Sequence, residues 1–193
     1  FIDEPEKGII VITYNSPGKN DKKLERELNS MLLSKKIPES VFNKIIFNSI
    51  NFAGRKIELG TYSAKWTNVN CVQWPYHGEM IWSVHRNSAD AALSIEMQRR
   101  ITAERNSKQL GASVVSDEKV NVIFENVPVV ARKVVYALEG ETADDGKTLE
   151  MIIYYVTAPV RNNWVSCVMS HWNNDAIEES GLPALLEKVM KLK

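Results

Sequence analysis

VNVIFENVPVVARKVVYALEGETADDGKTLEMIIYYVTAPVRNNWVSCVMSHW, residues 120–172, decides the architecture. The stretch holds four runs rich in valine, isoleucine and aromatic residues, at 120–124, 129–138, 148–157 and 164–172. Such side chains suit a pleated, half-buried surface. Between the runs stand Pro128, the acidic segment that opens on Glu139-Gly140-Glu141 and closes on Asp144-Asp145-Gly146, and Arg161-Asn162-Asn163, all of them turn chemistry. Connections this short join neighbouring strands antiparallel, because a parallel pair needs a crossover of a dozen or more residues. An antiparallel meander is therefore expected.

Upstream, Asn87 and Ser88 cap a long helix expected over 89–110, stopped by Gly111. Leu93, Met97 and Ile101 repeat every four residues and are expected to form its buried side. Arg99, Arg100, Arg105 and Lys108 occupy its C-terminal half, where cations complement the helix dipole, with Glu104 among them. Before it, 66–74 and 79–85 read as strands flanking Pro75 and Gly78, and 45–52 and 56–59 as a pair turned by Ala53-Gly54-Arg55. Near the start, GIIVITY at 8–14 reads as a strand. A helix follows, capped by Asp21, with Leu24, Leu28, Met31 and Leu32 on one stripe and Pro38 as breaker. At the other end Leu182, Leu185, Leu186, Val189 and Met190 suit one face of a closing helix that starts at Pro183. The fold class is α+β, an antiparallel sheet packed by helices. With no linker rich in proline, glycine or serine, residues 1–193 read as a single domain.

Composition narrows the function classes. Twenty-four basic residues balance 24 acidic ones, so the chain lacks the overall basic charge that phosphate neutralisation favours in nucleic-acid binders. No apolar run reaches the roughly 20 residues that span a bilayer. The chain begins at Phe1 rather than Met, as a processed or trimmed chain does, and an exported, periplasmic or secreted location is the expectation. Cys71 and Cys167 show no metal-ligand spacing; they pair in an oxidising compartment or sit as buried thiols.

Tryptophan supplies the most suggestive pattern. Trp164 and Trp172 are eight residues apart, as are Trp66 and Trp74, and an even spacing along a strand puts both rings on one face. Trp164, Ser166, Val168, Ser170 and Trp172 then share one side of their strand, with Val165, Cys167, Met169 and His171 on the other. Two rings flanking small or polar residues frame a trough for a small apolar ligand, a sugar or a partner's side chain, or else pack beneath a covering helix. Trp66, Trp74, Trp164 and Trp172 are the expected binding residues. His77, Glu79 and His85 are the alternative: on one extended strand their spacing aligns them as ligands of a hydrolytic metal. Asp144 and Asp145 lack the loop pattern of a calcium site and fit a solvated turn.

The ending WVSCVMSHWNNDAIEESGLPALLEKVMKLK, preceded by a long helix and a meander, resembles PsbP-like domains. That resemblance covers about the last half of the chain. It implies an α/β/α sandwich, in a family of mostly non-catalytic, often exported, partner-binding proteins. The function expected is thus a non-enzymatic binding domain without cofactor. It would recognise a protein partner or small apolar ligand through an aromatic sheet face; a metal-dependent hydrolase and an oligomer-building structural protein are the alternatives.

Overall fold

The computed structural model describes residues 2–4, 8–10, 21–34, 36, 48–59, 65–68, 70–143 and 146–193. Contacts group the chain into two compact units, Phe1–Ile45 and Ile46–Lys193.

In the first unit, β1 (Ile2–Glu4) pairs antiparallel with β2 (Gly8–Ile10). Helix α1 (Lys22–Leu33) starts where expected: the Asp21 carboxylate accepts from the backbone N–H of Lys23 and Leu24, at 2.9 and 3.1 Å. The rest of the expected first strand, Pro38 and the start of the expected strand at 45–52 lie outside the described residues.

The second unit is α+β, a curled antiparallel sheet packed by one long helix. The sheet has eight strands in the order β12-β8-β9-β10-β11-β7-β6-β5. The meander is β8 (Ala112–Phe124), β9 (Val127–Thr142), β10 (Thr148–Val160) and β11 (Asn163–Trp172). β5 (Lys65–Asn68), β6 (Cys71–Trp74) and β7 (Gly78–His85) extend it, through antiparallel pairing of β7 with β11. Residues 66–74 are therefore not one strand. Asn70, at φ 60°, turns the chain, and Trp66 pairs with Val72 across a hairpin.

One face of the sheet carries Val72, Trp74, Met80, Trp82, Val122, Phe124, Tyr154, Val165, Cys167 and Met169. Over it lie Ile50, Phe52, Ile57 and Leu59 from a separate hairpin, β3 (Ser49–Phe52) and β4 (Arg55–Glu58), together with Leu182, Leu185 and Leu186. The Phe52 ring centroid is 5.1 Å from that of Trp82 and 6.0 Å from that of Phe124. The expected closing helix is corrected here. Its five apolar residues are all buried, but α3 is the single turn Ala184–Glu187. The chain then extends into β12 (Met190–Leu192), which pairs with β8 as Met190 opposite Phe124. A short apolar run suits a strand as well as a helix, and unpaired N–H and C=O groups on β8 decide for the strand. A hairpin and one helical turn thus cover the face on which a sandwich would place a helical layer.

The hairpin tips at one end of the sheet are tied together. Ala53-Gly54, Glu125-Asn126 and Arg161-Asn162 are two-residue loops with both φ angles positive, the geometry that matches strand twist. Glu125, its side chain 3% exposed, binds both Arg55 and Arg161. Arg161 also donates to the carbonyls of Ala53, at 2.8 Å, and Phe52, at 2.5 Å, while Arg55 donates to that of Lys188 at 2.6 Å.

Candidate functional site

The other face of the sheet lies under α2 (Ser88–Gln109). Asn87 caps α2 through its side-chain oxygen, which accepts from Asp90 N–H at 2.9 Å, and Gly111, at φ 62°, ends it. The stripe turned to the sheet is Ala91, Ser94, Ile95, Thr102, Ala103 and Asn106, small or polar except Ile95. Leu93, Met97 and Ile101, expected inside, are 63%, 52% and 57% exposed. Volume explains the reversal. Tyr136, Tyr155, Val168 and Trp172 rise from the sheet and fill much of the layer between, which favours small helix residues such as Ala91, Ser94 and Ala103.

α2 crosses the sheet diagonally. It leaves β7 at His85, opposite Trp164, and delivers the chain to Ala112, opposite Leu138, at the far end of the sheet. Ser166 Oγ lies 2.9 Å from His85 Nε2 and donates to Ser94 Oγ at 3.2 Å, stapling the start of the helix. Two corners of this face stay uncovered. One holds a 180 Å³ cavity lined by Ile95, Arg99, Lys119, Val130, Arg132 and Thr157. Its two arginines are spent: Arg99 binds Glu96, and Arg132 makes a two-bonded pair with Asp117 at 2.6 Å. Those arginines hold both carboxyls below their ordinary range.

The opposite corner holds a cavity of 260 Å³. Its floor is a row across three strands: Gln73 of β6 pairs with Glu79 of β7, which pairs with Ser170 of β11. Trp172, two residues beyond Ser170, stands on the same face. Trp74, His171 and Asp175 contribute to the lining, and Pro75, Tyr76, Arg105 and Leu110 form an exposed rim. The side chains of Gln73, Ser170 and Arg105 have no hydrogen-bond or ion-pair partner among the described residues, and Glu79 has only the Cys71 thiol, at 3.6 Å. Asp175 accepts from Trp172 N–H at 3.0 Å, which fixes the strand end beside the ring. Gly78, at φ 101°, lets the chain pass close behind, since a Cβ there would lie 2.5 Å from a Leu186 methyl.

Of the four tryptophans expected to bind, Trp172 stands at this cavity, and Trp74 borders it from the strand end with its side chain on the opposite face. Trp164 stands at the other end of the face, and the side chain of Trp66 lies outside the described residues. Trp74 is also 6% exposed and part of the core. The histidine alternative is corrected. His77 sits in the turn before β7 with its ring 4.8 Å from that of Trp74, and Glu79 and His85 are six strand residues, about 20 Å, apart. Among the described residues no group of three His, Cys, Asp or Glu side chains is placed to hold a metal ion.

Cys71 and Cys167 are both buried, and neither is in a disulfide among the described residues. Cys71 aligns with Ile81 and Cys167 with the adjacent Trp82, so alternation sets the thiols on opposite faces, out of disulfide reach. Complete burial pushes the Cys167 thiol far above its ordinary range, where it is a poor nucleophile. His171 is 8% exposed and stacks on Tyr154; burial lowers its pKa, and its Nε2 has no hydrogen-bond partner among the described residues.

Fold and cavity define a class: an α+β protein whose curled antiparallel sheet is crossed by one long helix, with a polar pocket at an uncovered corner. No protein-family model, no curated protein and no solved structure matches the chain.

Proposed function

We propose that the unit Ile46–Lys193 is a non-enzymatic binding domain that takes a small ligand into the cavity between Trp172 and the end of α2. One observation carries this reading: the row Gln73, Glu79 and Ser170 lies half-buried beside an indole ring, its hydrogen-bonding capacity almost unspent. Pockets that fix small molecules combine apolar walls with a few convergent polar groups. The order of long helix, meander and apolar ending supports kinship with PsbP-like domains, and through it an extracytoplasmic site of action. A fragment library mapped by backbone amide NMR on the full chain tests the reading. Hits should cluster at residues 73–79, 105–110 and 170–175, and Trp172→Ala should weaken them while the chain still unfolds cooperatively. Fragments that gather elsewhere would refute it.

A further inference from the structure

Resting on that reading, we infer that the ligand is a neutral polyhydroxylated ring of monosaccharide size. The floor presents three different polar groups on three adjacent strands: an amide that donates and accepts, a carboxylate that only accepts, and a hydroxyl that does both. Neighbouring strands lie about 4.8 Å apart, so the row is short enough for one small ring to touch all three groups. Ring hydroxyls donate to Glu79 in charge-assisted bonds and accept from the Gln73 amide and the Ser170 hydroxyl. The apolar C–H face of the ring meets the Trp172 indole.

Charge narrows the choice. A ligand carboxylate would be repelled by Glu79. An ammonium group would use Glu79 and Asp175 but leave the Gln73 N–H donors without an acceptor. A ligand with no net charge has neither defect. Size agrees: at about 30 Å³ per water molecule, 260 Å³ is the room of eight or nine waters, or roughly a dozen heavier atoms.

Saturation-transfer NMR on the full chain, with glucose, galactose, mannose and N-acetylglucosamine each at about 10 mM, detects the millimolar affinities expected of single sugars. Glycine, acetate and tetramethylammonium serve as charged counter-probes. At least one sugar should bind, and Glu79→Ala should weaken it about tenfold and Ser170→Ala less. Glu79→Gln, which keeps the shape of the side chain, should fall between wild type and Glu79→Ala, and thermal unfolding of each variant verifies its fold. Binding of a counter-probe but no sugar would overturn the inference and leave the cavity a binding site. So would silence from all probes where fragments still map to the cavity. Fragments mapping elsewhere would overturn the proposed function as well.

Discussion

The two faces of one sheet are covered by opposite means. Behind it, a hairpin and a single helical turn deliver large apolar side chains, and Phe52, Trp82 and Phe124 meet there with no exposure above 2%. In front, a helix of 22 residues lays a small, largely polar stripe over aromatic rings that the sheet itself supplies, and it leaves two corners open. The core therefore gains most from the less regular elements, while the most regular element serves mainly as a strap. Long secondary structure marks neither the tightest packing nor the apolar side. The place to look for a ligand is where the strap ends.

The comparison breaks hardest in the rear core. Trp82→Ala should cost about 3–5 kcal/mol in urea unfolding, and a loss under 1 kcal/mol would mean that the two faces pack alike. Next comes the tied end of the sheet. Glu125→Gln leaves two arginines against a neutral amide and should cost about 1–3 kcal/mol, read from the same midpoints. A smaller effect depends on pH. Burial holds His171 below the usual imidazole pKa, with Lys133 pushing the same way and Asp175 and the Trp172 carbonyl opposing. The unfolded chain then takes up the proton first, so this contribution to stability is present above about pH 6.5 and is lost as pH falls from there through the lowered value. His171→Gln should flatten that acid limb; an unchanged slope would remove His171 from the account. The least effect is expected at the front. Met97→Lys with Ile101→Lys should shift stability by no more than about 0.5 kcal/mol, because both side chains stand in solvent.

The meander was legible because turn residues separate runs of β-branched and aromatic residues, although the first tip falls at 125–126 and Pro128, expected between strands, lies within β9 opposite Ile123. Strand ends were less so. β8 begins at Ala112, eight residues before the apolar run, since its first half pairs with β9 while its side chains stay largely exposed. Period was readable in α2 but side was not: Leu93, Met97 and Ile101 form a true ridge, and only the bulk of Tyr136, Tyr155 and Trp172 turns it outward. The site needs the pairing of β7 with β11, which brings together Glu79 and Ser170, about 90 residues apart in sequence. Alternation alone put Ser170 and Trp172 on one face; nothing local could bring Glu79 and Gln73 beside them, or Arg105 over them.

The Glu125 clamp also sets where the molecule accepts alteration. A peptide inserted at residues 53–54, 125–126 or 161–162 would pull apart a three-way junction that holds the ends of β3, β8 and β10 together. Gly140 and Gly146, beside the connection from β9 to β10, have open space where a side chain would stand. Fluorophores, affinity tags or grafted loops thus belong nearer that connection than at the three tied tips.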